Sequence, residues 1–335
     1  MRIIVTGGYG FIGSTLIKRL IIDKKNIVLN IDAKKINSMP ESLAKIKNFK
    51  NYKFKKLNID NYNKLNNLIL EFKPNLVFHL AAESHVDNSI TSPKDFIYSN
   101  IVGTFNLLDI LSKYIKIHKK ISNKFRLIYV STDEVYGSLT PKEKSFKEDN
   151  KFYPNSPYSA SKASGDLLCR AWNKTFKLPI ITTNCSNNYG PWQFPEKLIP
   201  LVIKRALQQK KIPIYGTGKN IRDWIHVDDH VSALIKLSKK GKIGETYNIG
   251  GDNEITNISL VRKICDIIDN RTKAKISSKK LISFVTDRAA HDFRYSINSK
   301  KLENEINFKA IFSIHNGIYQ TVNWYLDNKE WLLKK

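Results

Sequence analysis

Met1-Arg2-Ile3-Ile4-Val5-Thr6-Gly7-Gly8-Tyr9-Gly10-Phe11-Ile12-Gly13 opens the chain. The run up to Val5 reads as a buried strand, and Phe11, Ile12, Leu16, Ile17 and Leu20 recur at helical spacing after it. Between them Gly7, Gly10 and Gly13 form a tight turn. Glycines there let the backbone approach a pyrophosphate, and the helix N-terminus offers it free N–H groups and a positive dipole. A glycine triplet alone carries little weight; its place between a strand and a helix makes it a dinucleotide cradle. A second strand, Ile27 to Ile31, ends at Asp32. An acid there, about twenty residues beyond the glycines, would bond a ribose 2′-hydroxyl and repel a 2′-phosphate, which favours NAD over NADP. Lys34 and Lys35 argue the other way, since a cation at that point could receive a phosphate.

Outward from this stretch, strand and helix signals alternate. Strands are predicted at 1–5, 27–31, about 52–57, 75–80, 125–131 and 179–185, with helical patterns at about 11–22, 61–72, 94–117 and 157–177. This order predicts an α/β fold, a Rossmann-type doubly wound parallel sheet covered on both faces. Past Asn187 the texture changes. Prolines 191, 195, 200 and 213 interrupt it, a helix at 197–209 stands isolated, and the ending reads as short mixed elements. Residues 1–186 are expected to form the dinucleotide-binding domain and 187–335 a smaller mixed α/β substrate domain, with the segment near 225–250 a candidate to return to the first.

The 335 residues suffice for one large core or two domains. No apolar run approaches the roughly 18 residues of a membrane span, and the polar glycine turn after Val5 does not read as a signal peptide. Cys169, Cys185 and Cys265 are scattered without metal spacing, so reduced cytoplasmic thiols and no metal site are expected. The formal net charge is +26. Its lysines are spread along the chain, notably over 18–64, 113–124 and 236–242, and no basic helix or zinc finger organises them, so nucleic-acid binding is not expected. Steering of an anionic substrate fits better.

Two further stretches carry chemistry. Thr132-Asp133-Glu134-Val135-Tyr136 places adjacent carboxylic acids straight after the apolar run Leu127 to Val130. Tyr158 and Lys162, four apart in a helical stretch, share a face about 6 Å apart along the axis. A free phenol titrates near pH ~10 and is a poor base, but an ammonium beside it favours the phenolate. Successive side chains on a strand point to opposite faces, so both acids reach one substrate only if the strand has ended by Asp133. The following Gly137 and the loss of apolar alternation predict that it has.

Gly7 to Gly13, His79-Leu80-Ala81-Ala82-Glu83-Ser84-His85-Val86-Asp87, Thr132 to Gly137 and Tyr158 to Lys162 together resemble the nucleotide-sugar branch of the extended short-chain dehydrogenase/reductases. Asn184 to Pro191, Phe194 to Pro200, Ile221-Arg222-Asp223-Trp224 and Tyr247 to Gly251 extend the match into the second half, where it resembles the dTDP-glucose 4,6-dehydratase family. The resemblance implies NAD as cofactor, dTDP-glucose as substrate and a homodimer. It implies that Tyr158 takes the proton of the sugar's 4-hydroxyl, that Thr132 polarises that oxygen, that Glu134 is the base at carbon 5 and that Asp133 protonates the departing 6-hydroxyl.

Carried over one at a time, Gly7, Gly10, Phe11, Ile12, Gly13, Asp32, Asn58, Ile59, Leu80, Ala81, Ala82, Ser84, Ser99 and Asn188 would line the cofactor with Tyr158 and Lys162. Ser84, His85, Thr132, Asn187, Lys197, Leu198, Pro213 to Tyr215, Arg222, Asn257, Asp287, Arg288 and His291 would hold the nucleotide sugar. The chain departs from the family pattern at Asn58, where an aspartate is usual, in the stretch Ala33 to Pro40, and at Ala289-Ala290, which replace a Pro-Gly pair. A UDP-glucose 4,6-dehydratase would share this chemistry with a different base pocket. A 4-epimerase or decarboxylase would share the fold, NAD and the Tyr-Lys pair without needing the adjacent acids.

Overall fold

The computed structural model describes residues 1–118 and 124–335, so part of the lysine-rich stretch 113–124 lies outside the described residues. A seven-stranded sheet runs in the order β10-β6-β5-β4-β1-β2-β3. Its strands are β1 (Arg2–Thr6), β2 (Ile27–Asp32), β3 (Tyr52–Lys56), β4 (Leu76–His79), β5 (Arg126–Thr132), β6 (Ile180–Cys185) and β10 (Thr246–Ile249). Every pairing in it is parallel. Order reverses between β1 and β4, which opens a crevice at the carboxyl ends of these strands.

Alternation along the strands builds the layers. Ile3 and Val5 of β1 and Phe78 of β4 enter one apolar core with Leu16 and Ile17, while Ile4 and Val77 enter the opposite core with Leu107, Leu111 and Ile180. Both faces are thus buried, as a parallel sheet requires. Helices Phe11–Leu20 and Val227–Lys240 cover the first face; Tyr62–Phe72, Gly103–Ile117 and Pro157–Phe176 cover the second. Val231, Leu234 and Leu237 therefore pack on the large sheet, although they follow strand β9 (Ile221–His226) of a second sheet.

That second sheet has three strands, β7 (Asn187–Tyr189), β9 and β11 (Glu254–Thr256), and β8 (Ile212–Tyr215) pairs with β12 (Ile282–Val285). The chain's last part is not a run of short elements. Helices Asn257–Thr272 and Ile314–Asp327 pack with Leu198–Leu207 around a third core containing Leu260, Ile264, Ile318 and Val322. Leu260, Val261, Ile264, Cys265 and Ile268 already show helical spacing, so this pattern was present and the interrupting prolines lie before it.

The predicted helix over 94–117 is also modified. Its middle, Ile97–Val102, is a π-helical turn. Such widened turns concentrate at functional sites, and this one carries Ser99 into the cleft and Asn100 against Glu83 and Ser161.

The Pro157–Phe176 helix is fixed at its start by a reciprocal cap. Ser156 accepts the Ser159 N–H at 3.1 Å, the Ser159 hydroxyl accepts the Ser156 N–H at 3.0 Å, and Pro157 occupies the first turn. Its Gly165 lies against Tyr129 of β5, and a Cβ there would overlap the phenol oxygen. Gly165→Ala is expected to cost about 1–3 kcal/mol of stability by overpacking, measured by denaturant unfolding. Adding Tyr129→Phe should recover part of that loss; equal stability of Gly165→Ala and the parent would overturn the packing argument.

Candidate active site

A single large cleft at the carboxyl ends of β1, β2, β4, β5 and β6 gathers most of the predicted site residues. Gly7, Gly10, Phe11, Ile12, Gly13, Asp32, Asn58, Ile59, Leu80, Ala81, Ala82, Ser84, Ser99 and Asn188 all line it. Thr132, Asp133, Glu134, Tyr158, Lys162, Asn187, Lys197 and Leu198 line its other part.

The glycine turn is close-packed. Gly7 has φ +72°, and a Cβ on it would stand 2.7 Å from the Ala81 nitrogen; a Cβ on Gly13 would meet the Gly7 carbonyl. Only bare backbone fits, which leaves the space a pyrophosphate needs. Asp32 is held by the Tyr9 N–H at 2.9 Å, the Lys34 N–H at 2.7 Å and the Ser38 hydroxyl at 3.0 Å. The lysines beyond it are engaged elsewhere. Lys35 pairs with Glu83 at 2.6 Å, and the Lys34 ammonium lies over the rings of Tyr9 and Phe54 at 5.6 and 5.1 Å. Asn58 donates to Asp60 at 2.8 Å through its amide nitrogen, which leaves the oxygen to accept.

β5 ends at Thr132. The chain then turns into a 3₁₀ segment, Asp133–Tyr136, in which the Thr132 hydroxyl accepts the Glu134 N–H at 3.3 Å. Gly137 follows at φ +90°, a conformation that costs glycine little. Strand alternation is thereby broken and both acids line one cleft. Burial pushes the Asp133 carboxyl well above the ordinary range, with the neighbouring Glu134 charge adding to it. Glu134 is also raised by burial, but the cations Arg222, Lys197 and Arg288 pull it back.

Tyr158 stands beside these acids. Burial raises its phenol, and so does the Glu134 charge, whereas the neighbouring Thr132 hydroxyl opposes the rise. The Lys162 ammonium does not bond the phenol directly. It donates to the Val130 carbonyl at 2.8 Å and lies 4.4 Å from the centre of the Tyr129 ring. One or more of its donors is therefore left for the cleft, since an ammonium carries three.

A Rossmann cradle, an acid at the ribose position and an acid pair beside a Tyr-Lys helix occur here in one cleft. The sequence model of the family described as GDP-mannose 4,6 dehydratase matches residues 4–321. The chain is 46% identical to the dTDP-glucose 4,6-dehydratase of Salmonella typhimurium, covering 99% of this chain and 94% of that protein. The chain belongs to the dTDP-glucose 4,6-dehydratase family. Among solved structures, the dTDP-glucose 4,6-dehydratase of Bacillus anthracis in complex with NAD is 42% identical with TM-score 0.87, covering 99% of this chain and 98% of that one. That of Streptomyces venezuelae, also with NAD bound, is 36% identical with TM-score 0.90 and the same coverage.

In this dehydratase-family chain the remaining expected residues lie outside the cleft lining. His85, Tyr215, Asp287, Arg288 and His291 form a cluster around Asp87: Arg288 pairs with Asp87 at 2.6 Å and the Tyr215 hydroxyl donates to it at 3.3 Å. His85 sits 3.9 Å from both Asp87 and Glu196, and Glu196 lines the cleft, so the cluster adjoins it. His291 bonds Asp287 at 2.6 Å. Arg222 is buried, with its guanidinium donating to the carbonyls of Ile221, Asp292 and Phe293. Pro213 lies in β8 against Ser283, and Asn257 begins a helix with a buried side-chain oxygen that has no partner. Glu83, Gln193, Phe194, Glu196 and Trp224 line the cleft without having been singled out. All but Gln193 stand inside the quoted motifs, so that signal was available. Among the described residues, no group of three or more His, Cys, Asp or Glu could hold a metal ion.

Asp133 gives a stability test. A carboxyl whose folded pKa is raised binds its proton more tightly folded than unfolded, so it costs stability as pH rises from the ordinary carboxylate range through its raised value. One Asp133 oxygen is buried without a partner. Asp133→Asn should exceed the parent's stability at pH about 8 by on the order of 1–3 kcal/mol, and the gap should shrink towards pH about 4. Thermal unfolding across that range measures it; a pH-independent difference would refute the burial argument.

Proposed function

We propose that the chain converts dTDP-glucose to dTDP-4-keto-6-deoxyglucose, with NAD held in the cleft. NAD fits the residues present, because the bare glycine backbone and the fixed Asp32 carboxylate offer what a pyrophosphate and a ribose 2′-hydroxyl require. When bound, NAD would accept a hydride from carbon 4 and return it to carbon 6 as a proton returns to carbon 5, so the net reaction is loss of water.

The observation that carries this reading is the pair of acids in unequal environments beside Tyr158. A pair of carboxyls pushed apart in pKa identifies acid and base. Asp133, raised by burial and by its neighbour's charge, keeps its proton and gives it to the departing 6-hydroxyl. Glu134, facing Arg222, Lys197 and Arg288, is the carboxylate that takes the carbon 5 proton once a ketone at carbon 4 has acidified it. Tyr158 takes the 4-hydroxyl proton, and the Thr132 hydroxyl holds that oxygen. Lys162 supplies positive potential to the phenol and a free donor to the cofactor side. Lys197 and Arg288 face the diphosphate, the first as a point charge and the second as a fork once it leaves Asp87.

Product analysis with dTDP-glucose and UDP-glucose, without added oxidant, tests the reading directly. Formation of the 4-keto-6-deoxy sugar from dTDP-glucose is expected, and an epimerised product, or the keto sugar from UDP-glucose alone, would overturn it. Glu134→Gln should lose deuterium incorporation at carbon 5 from heavy water, while Tyr158→Phe should slow the first hydride step by two to three decades, about 3–4 kcal/mol. With Lys34 and Lys35 engaged, acid extraction should release NAD; predominant NADP would show that the lysines outweigh Asp32.

The chain also acts as a cytoplasmic homodimer in this proposal. Helices Gly103–Ile117 and Pro157–Phe176 pack through Phe105 and Trp172 and leave Phe105, Leu167 and Phe176 exposed, with Tyr98 of the preceding π turn exposed as well. A second copy would cover that apolar face. Leu167→Lys should shift the mass measured by light scattering from dimer to monomer, and an unchanged dimer would reject this face.

A further inference from the structure

Behind Lys162, one turn deeper on the same helix, lies Asp166, a buried acid with no part in the mechanism above. One of its oxygens accepts the Ser131 hydroxyl at 2.7 Å and the Asn184 amide at 3.5 Å; the other is buried without a partner. Asn184 also donates to the Thr132 carbonyl at 3.2 Å. Asp166 thus ties the helix bearing Tyr158 and Lys162 to the residue before Thr132 and, through Asn184, to Thr132 itself.

Lys162 is itself buried, and a buried ammonium needs compensation. The titratable groups facing it are Asp166 and Cys169 on its own helix, Tyr129 on β5, Cys185 on β6 and His79 on β4. Burial holds both thiols and the Tyr129 phenol in their neutral forms by raising them, and lowers His79 to about 3, so its imidazole is neutral. The remaining partner is Asp166. Asp166 sits one turn along the helix from Lys162, outside salt-bridge contact among the described residues; burial raises its carboxyl and lowers the ammonium, and each charge opposes the other's shift.

We infer that Asp166 is a positioning residue for the hydride step: the buried counter-charge of Lys162 and the clamp that registers the Tyr158–Lys162 helix on the end of β5. The inference rests on the assignment of Tyr158 and Lys162 to that step.

The test is the pH dependence of reduced-nicotinamide formation in a single turnover of the NAD-loaded enzyme with dTDP-glucose. Asp166→Asn keeps the shape and an acceptor for Ser131 but removes the charge. Its alkaline limb should move to lower pH by on the order of one unit, because an opposite charge nearby supports an ammonium by that much or more. Ser131→Ala removes a hydrogen bond that favours the Asp166 carboxylate but keeps the ionisable group, so its limb should move less than that of Asp166→Asn. An unmoved limb in folded Asp166→Asn, or an equal shift in Ser131→Ala, overturns the counter-charge. Lys162→Met run in parallel separates the two readings: if it retains the hydride step, the assignment of Lys162 has failed, and the Asp166 result is then judged by stability alone. For that, Asp166→Asn and Lys162→Met should each lower the unfolding midpoint, and the double variant should lose less than the sum. Recovery of folding in the double variant supports the pair if Asp166→Asn alone does not fold; additive losses reject it.

Discussion

Side chains on a strand alternate between faces, so Asp133 and Glu134 could not share a cleft if β5 ran through them. The constraint on which the active site depends is therefore the exit from β5 at Thr132. Two local features and one long-range contact enforce it. The Thr132 hydroxyl caps the turn by accepting the Glu134 N–H, Gly137 takes a φ that side-chain-bearing residues avoid, and Tyr136 is anchored under the turn by donating to Asn248 at 2.9 Å. A Cβ on Gly137 would stand 2.5 Å from the Tyr153 carbonyl, so the glycine is required by space as well as by dihedral.

Once the turn is made, electrostatics differentiates the two acids. They are adjacent in sequence, Asp133 buried and Glu134 partly so; Asp133 has Glu134 and Asp223 against the single cation Arg222, while Glu134 has Arg222, Lys197 and Arg288 against Asp292. The cations come from distant stretches: Lys197 precedes the Leu198–Leu207 helix, Arg222 lies in β9 and Arg288 follows β12. The second half of the chain thus sets the chemistry of residues carried by the first.

Much of this was legible in the sequence for a physical reason. Parallel strands buried on both faces are continuous apolar runs, and tight turns demand glycine, so β1, the cradle, β5 and the acid pair all leave local marks. The Tyr158–Lys162 helix is equally local, with its Ser156–Ser159 cap and Pro157. What the sequence did not disclose depends on contacts between distant residues. The engagement of Lys35 by Glu83, 48 positions away, has no local signature, nor has the pairing of Arg288 with Asp87, 201 positions away. The π turn at Ile97–Val102 was hidden because its residues also suit an ordinary helix. The return of Val227–Lys240 and β10 to the large sheet is a matter of topology, visible in sequence only as the suspicion that 225–250 belonged with the first half.

The departures from the family pattern follow the same division. Asn58 lines the cleft and its amide oxygen is left to accept, so the loss of a charge there is compatible with an adenine amino group as its partner. At Ala289-Ala290 the cost is in the backbone. Ala290 has φ +50°, a left-handed conformation that disfavours alanine by roughly 1–2 kcal/mol. Contacts on either side hold it there: Arg288 to Asp87, and His291 to Asp287. The strain at Ala290 and the pairing of Arg288 therefore act on one segment in opposite senses, the first favouring its release and the second its retention.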